Sequence, residues 1–346
     1  MLDETHPMLK PVVEILSAYV LPTPDVAKVK SRVKELHDTV ALRNDPDLPF
    51  DPGNRLECRA LAFTAPSFYG KSRSIREALK SLPPIVLPDG SHLEPKVLRF
   101  RCPSYASMST FLNSLLRATG YPDGRDMPPG AALSRLMPAL ATRRYTALWL
   151  DEFQWALYPA TSPGRSRQEE ENAVWNTLSG ILDSAQWPIP VVVSGLPSIV
   201  ASINHDSLER QALRNRFDFE SLTAMTLANS GDVTAIFTIY SGLVGVSVQV
   251  DTALEIEKRL IHAANYSLGL VLLLIKIAFA RAAARDDKTV AIDDFKAAYA
   301  VKMNCRDEAN PFAVDQWREI DPTLIMAQSA GERRPAPPAP SAKKKK

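Results

Sequence analysis

Cysteine is scarce: Cys58, Cys102 and Cys305 are the only three in 346 residues, far apart and odd in number. No two have the spacing of a metal knuckle or suggest a disulfide framework, so a reducing, cytoplasmic setting is expected. Long apolar runs are also missing. The longest, LGLVLLLIKIAFA, is too short to span a bilayer and carries Lys276 in its middle, and MLDETHPMLK lacks the basic-then-apolar order of an export signal; no membrane association is expected. Nor does one sign of charge dominate, with Lys+Arg 41 against Asp+Glu 39. Arg333, Arg334 and Lys343 to Lys346 against Glu332 leave +5 after residue 330, so the rest of the chain is near −3. General affinity for nucleic acid is therefore not implied, and any basic surface is local. No internal repeat is present.

What is present is the composition of an ordinary globular chain, 45% hydrophobic and 23% charged. The length allows one main domain and a smaller unit. Residues 1–55 read as a helical lead-in and linker: Thr23-Pro24-Asp25 caps a helix with Val26, Val29, Val33 and Leu36 on one stripe, and NDPDLPFDPGN has linker composition. Lys28, Lys30, Arg32 and Lys34 around that stripe read as a solvated face. From 56 to 222 short apolar runs alternate with helical segments: CRALAFT, KVLRFRC, YTALWLD and IPVVVSG are the strands. Four such runs separated by helices predict an α/β fold with a parallel sheet covered on both faces. Residues 223–305 then read as all-helical, 306–330 as an extension, and 331–346 as a Pro-rich basic tail that cannot bury a core.

The chemistry begins at FTAPSFYGKSRSI. It follows a strand, opens a helix, and holds Gly70-Lys71-Ser72 at the spacing of a phosphate-binding loop, with Ala65 in place of the first glycine. Loop and helix-start N–H groups would converge on phosphate oxygens, Lys71 would reach the β and γ phosphates, and the Ser72 hydroxyl would ligate Mg²⁺. Ala65 adds only a methyl group and fits if its backbone stays in a region open to non-glycine residues. Ala65, Ser67, Tyr69, Gly70, Lys71 and Ser72 are the expected nucleotide-binding residues of this segment.

A second signal is TALWLDEFQWAL, a buried strand ending in Asp151 and Glu152, the end at which ligands of parallel sheets sit. Asp151 would hold Mg²⁺ and Glu152 would deprotonate the water that attacks the γ-phosphate. Acidic residues also favour helix starts, but the strand-borne GKS upstream favours the catalytic reading. A third strand, PIPVVVSGLPSI, ends at Ser194, which reads either as a sensor of the γ-phosphate or as a strand-end turn. LERQALRNRFDFESL offers Arg210, Arg214 and Arg216, one of which could reach a neighbouring subunit's phosphate, with surface ion pairs the alternative for the others.

This order of elements resembles an AAA+ P-loop NTPase core followed by a helical lid. More narrowly, CPSYASMSTFLNSLLRATGYP, LDEFQ, NAVWNTLSGILDSAQWPIPVVVSGLPSIVASINHDSLERQALRNRF and YSLGLVLLLIKIAFARAAARDDKTVAIDDFKAA are similar to segments of the TniB/TnsC family, ATPase partners of DDE transposases that include MuB-like proteins. The resemblance covers roughly residues 55 to 302. It implies ATP and Mg²⁺ at Lys71, Ser72 and Asp151, catalysis by Glu152, a sensor at Ser194, and an intersubunit finger at Arg214 or Arg216. It further implies ATP-dependent self-association into a ring or filament on double-stranded DNA, with a DDE transposase as partner. The lid stretch ANYSLGLV has no arginine where many AAA+ proteins keep a second sensor, so ATP binding with slow hydrolysis is expected.

Arg99, Arg101, Arg143, Arg144, Arg165 and Arg167 are candidates for DNA phosphate contact, with Arg99 and Arg101 on one face and expected near their strand's end. No base-reading motif is visible, so binding should be largely independent of sequence and sensitive to salt. Two other readings remain: a non-hydrolysing nucleotide-binding adaptor, and an AAA+ ATPase of another DNA process such as replication initiation or helicase loading.

Overall fold

The computed structural model describes residues 9–104, 106–122, 124–158, 166–185, 187–204, 208–249 and 252–329. The basic tail and Arg165 lie outside them. The chain divides into two compact units, Leu21–Thr223 and a second that gathers the first helix with the chain from Ala224 onward. The first 55 residues therefore form no unit of their own. Helix α1 (Leu9–Ala18) packs on helices of the second unit, while α2 (Pro24–Asp38) packs on α3 (Lys71–Lys80) of the first.

Helix α2 begins as its sequence dictates, with the Thr23 hydroxyl accepting from Val26 N at 3.2 Å and Pro24 in the first turn. Its cations are not simply solvated. Lys28 and Arg32 reach Glu220 at 2.5 and 3.1 Å, and Arg32 also reaches Asp218 at 3.4 Å. The expected linker is a tied loop. Asn54, 6% exposed, donates to the carbonyls of Asp45 and Pro49 at 2.9 Å each, and an Arg43–Arg55 bridge closes its base.

The sheet of the first unit follows, in chain order: β1 (Ala60–Thr64), then a small antiparallel pair β2 (Ile85–Val86) and β3 (His92–Leu93), then β4 (Val97–Arg101). Helices α4 (Met108–Ala118) and α5 (Pro129–Thr142) lead to β5 (Ala147–Asp151) and the single turn α6 (Gln154–Leu157). Then come α7 (Arg167–Leu182), β6 (Val191–Gly195), α8 (Ser198–Ile203), α9 (Leu208–Arg214) and β7 (Phe217–Ser221). The strands are parallel in the order β4-β5-β6-β1-β7. Thus β6, which comes last of the three in sequence, separates β1 from β5.

Both faces are covered, as the strand composition requires. Leu61, Phe63, Trp149 and Val192 pack with α2 and α3, whereas Ala60, Ala62, Leu148, Leu150, Val191 and Val193 face the cluster built by α4 to α7. Trp175 anchors that second cluster, edge-on to Phe153 and Phe217 at ring separations of 5.4 and 5.6 Å. β4 is an edge strand, which explains its two arginines. Arg99 is exposed in mid-strand, not at its end, and lies over the Trp149 ring at 4.9 Å.

The second unit is helical: α10 (Ser230–Val244), α11 (Ile256–Ala263), α12 (Leu268–Ala283), α13 (Ile292–Met303) and α14 (Leu324–Ser329). A short parallel pair, β8 (Ser247–Val248) and β9 (Thr289–Val290), interrupts it where only helices were expected. The run around Lys276 is α12, buried against α1 and α13; no helix among the described residues is long and apolar enough to cross a membrane.

Two outcomes are expected from this packing. Trp175→Ala should cost about 3–5 kcal/mol in urea unfolding, the usual loss for a large buried aromatic. His37 is 2% exposed, its ring bonded to the Thr146 hydroxyl at 3.0 Å, and burial lowers its pKa from 6.5 to about 4. As pH falls from 6.5 towards 4, the unfolded chain takes up a proton that the folded chain refuses, so stability is lost across that window. His37→Gln should remove on the order of 2 kcal/mol of that loss, read from unfolding midpoints across the window.

Candidate functional site

The two-residue period of β5 puts Trp149 and Asp151 on the α3 face, and the register pairs Asp151 with Ser194 of β6. α3 starts on the same side, directly after the loop that leaves β1. One carboxylate oxygen is the meeting point. Asp151 Oδ1 accepts from Ser194 Oγ at 2.6 Å, from Ser72 Oγ at 2.9 Å and from Glu152 N at 3.1 Å. Ser194 is fully buried and in turn accepts from Trp149 Nε1 at 3.0 Å. The strand-end turn reading of Ser194 therefore misses its main contact.

The β1–α3 loop has the conformation its residues permit. Ala65 is buried and has no positive φ; the left-handed positions are Gly70 at φ +85° and Phe68 at φ +66°. Backbone strain therefore falls on Phe68, a residue 41% exposed, and not on the alanine that replaces a glycine. Ser67 is exposed, and Tyr69 is half-buried against the α2–α3 cluster, where burial raises its pKa. Lys71 is 9% exposed and turns back on its own loop, donating to the carbonyls of Ala65 and Pro66 at 2.7 and 2.8 Å. Burial lowers its pKa against the opposing pull of Glu152 and Asp151.

Glu152 sits just past β5 at φ +56°. Its Oε2 accepts from Gln154 Nε2 at 2.6 Å, and Gln154 Oε1 accepts from Leu196 N at 3.2 Å. Sequence reasoning passed over Gln154 and Trp149. Trp149 reads as part of the apolar strand, and only the register brings it to Ser194; Gln154 is a single polar residue with no motif of its own.

The arginines are placed elsewhere. Arg216 accepts at its carbonyl from Ala60 N, which puts it at the opposite end of the sheet from Asp151, and its guanidinium pairs with Asp183 and with Glu57 at 3.0 Å. Arg214 is exposed and bonds Asn204 at 2.5 Å; Arg210 is 3% exposed and donates to the Ser202 carbonyl and to Asn172, each at 2.6 Å. Within one chain none of them joins the Asp151 cluster. Of the remaining candidates, Arg101 is exposed and paired in register with Asp151, Arg143 holds the Gly120 carbonyl at 2.7 Å, Arg144 has φ +52°, and Arg167 lies 4.2 Å over the Tyr158 ring.

The residues present fit Mg²⁺ with a nucleotide. Three donors crowd one Asp151 oxygen, the place where a cation would relieve them, and a buried ammonium has only loop carbonyls to satisfy it. No cluster of three or more His, Cys, Asp or Glu side chains suited to a metal occurs among the described residues. A Mg²⁺ site can be built from one carboxylate, one hydroxyl and substrate phosphates, and Asp151 and Ser72 are the carboxylate and hydroxyl here.

Residues 55–202 match the family model of an AAA domain. Cdc6p from Pyrobaculum aerophilum superposes with a TM-score of 0.57 at 15% identity, covering 92% of this chain and 85% of that one. The Aeropyrum pernix ORC1 protein, solved in complex with DNA, gives 0.57 at 14% identity, covering 84% and 70%. Drosophila ORC bound to DNA gives 0.52 at 12%, covering 89% and 69%. No curated protein matches the sequence. The fold is that of an AAA+ P-loop NTPase with a helical C-terminal region.

Ser194→Ala should leave the Trp149 indole N–H buried without a partner and cost about 1–3 kcal/mol in urea unfolding, whereas Ser194→Thr, which keeps the hydroxyl, should recover part of it.

Proposed function

We propose that this chain is a cytoplasmic ATP-dependent switch that assembles into a ring or filament on double-stranded DNA and recruits or activates a DDE transposase. The observation that carries the nucleotide half is the convergence of Ser72 and Ser194 on Asp151 beside the buried Lys71. On this reading Ala65, Ser67, Tyr69 and Gly70 frame the phosphates, and Lys71 leaves its loop carbonyls for the β and γ oxygens. Mg²⁺, held by Ser72 and Asp151, would neutralise charge on those oxygens. Glu152 takes the proton of the attacking water, and Ser194 fixes Asp151 while its hydroxyl lies within the same cluster. Arg214 or Arg216 of a neighbouring copy supplies a guanidinium to the transition state, which accords with their placement away from their own chain's cluster.

The DNA half rests on the sequence resemblance across residues 55 to 302 and on the DNA complexes formed by proteins of this fold. The transposase rests on the resemblance alone. A second reading, an ATPase of another DNA process such as replication initiation, is favoured by the likeness to Cdc6p and ORC. A DDE integrase gene beside this one would support the first.

ATP hydrolysis measured with and without double-stranded DNA at low salt tests the proposal. Wild type should turn over slowly and faster with DNA; Lys71→Ala should abolish nucleotide binding, and Glu152→Gln should keep binding while lowering turnover roughly 10²–10⁴-fold. Turnover that survives both substitutions would place the chemistry elsewhere. DNA affinity should fall linearly with salt on logarithmic axes and vary little with sequence. A flat salt response would remove the DNA half.

A further inference from the structure

A general base works only if it is aimed, and a free glutamate side chain must give up rotamer freedom to be held in one place. Glu152 has a fixture. Gln154, 4% exposed and two residues on, donates its amide Nε2 to Glu152 Oε2 at 2.6 Å and accepts from Leu196 N through Oε1 at 3.2 Å. The two partners are of opposite kind. Only the amide oxygen can serve the Leu196 N–H and only the NH₂ can serve the carboxylate, so the orientation of the amide is dictated by its surroundings.

Room for this amide exists because residue 195 is glycine. A Cβ there would stand 2.2 Å from Gln154 Oε1 and 2.7 Å from Ile199 Cδ1. The glycine lies in β6 without a positive φ, so its need is steric: the absent Cβ leaves room for this amide, the tighter of the two contacts, and for the tip of Ile199. Glu152 itself is bound on one oxygen only, for its Oε1 has no partner among the described residues. Its backbone N–H is meanwhile fixed to Asp151 at 3.1 Å. The side chain is therefore held at its start and at one tip, with the other oxygen left to meet a water.

We infer that Gln154 is the positioning residue for ATP hydrolysis: it clamps Glu152 to the end of β6, and Gly195 supplies the space in which the clamp sits. The inference rests on Glu152 being the base. On this reading Gln154 acts through that carboxylate and is not itself a catalytic residue. It also ties the base to the strand that carries Ser194, so movement at the end of β6 would be passed to Glu152.

Gln154→Met keeps the length and packing of the side chain and removes both hydrogen bonds. It should lower kcat for ATP roughly 10- to 100-fold, the cost of a misaimed group, while ADP affinity stays within about twofold. Gly195→Ala should give the same split by displacing the amide tip, and the double variant should fall no lower than either single one. A protein whose glutamines carry ¹⁵N provides a second measurement: the Gln154 side-chain amide signal, identified by its loss in Gln154→Met, should move in both Glu152→Ala and Gly195→Ala. Wild-type turnover in Gln154→Met, additive losses in the double variant, or an amide signal indifferent to Glu152→Ala would each overturn the inference. So would parallel loss of kcat, ADP affinity and melting temperature, which marks a merely structural glutamine. A wild type with no turnover overturns the hydrolytic reading and the clamp's catalytic role together, and is told apart by that absence.

Discussion

The first unit is organised around one carboxylate oxygen. Asp151 Oδ1 takes hydrogen bonds from the start of α3, from the end of β6 and from the backbone just past its own strand. Hydrogen bonds to an ionised oxygen are roughly twice as strong as those to a neutral one, so these three add to the sheet pairing of β5 with β6 and tie the start of α3 to both strands. The same oxygen would be the natural seat of a divalent cation. A metal and nucleotide bound there would rearrange these same hydrogen bonds.

That meeting depends on the topology. β5 and β6 must be neighbours for Asp151 and Ser194 to pair, and β6 must lie against β1 for the loop and α3 to arrive on the same side. The two-sided core enforces this, because a one-residue slip of β5 would bury Asp151 in the α4–α7 cluster and turn Leu150 towards α3. Trp149 supports the arrangement from beneath. Its ring fills the α2–α3 side, while its N–H fixes the Ser194 hydroxyl that reaches Asp151.

Much of this was legible in the sequence, for local reasons. GKS after an apolar strand, Asp-Glu at the end of another and Ser-Gly at the end of a third each name their own element. Four of the five sheet strands stand out as apolar runs, whereas β7, FDFES, is interrupted by Asp218 and Glu220. What could not be read is whatever depends on neighbours in space. Arg101 does end β4, but Arg99 is exposed in mid-strand, which only the sheet order explains by making β4 an edge. The segment 44–54 looked like a linker because Asn54, which ties it together, acts through backbone carbonyls that carry no sequence signature. Helices α1 and α2 are neighbours in sequence, yet they pack in different units. Gln154 and Gly195 matter only as a pair across two strands, so neither stands out alone.

The comparisons establish a fold shared with DNA-bound proteins, while the transposition reading draws on sequence segments spread over most of the chain. Both presuppose a nucleotide site at Asp151. A crystal structure with Mg²⁺ and a non-hydrolysable ATP analogue examines that claim most directly. The account predicts Ser72 and Asp151 together around the metal, Lys71 turned from the Ala65 and Pro66 carbonyls to the phosphates, and Glu152 still bonded to Gln154. A nucleotide bound elsewhere, with the Ser72 hydroxyl still on Asp151 and Lys71 still folded onto its loop, would contradict it.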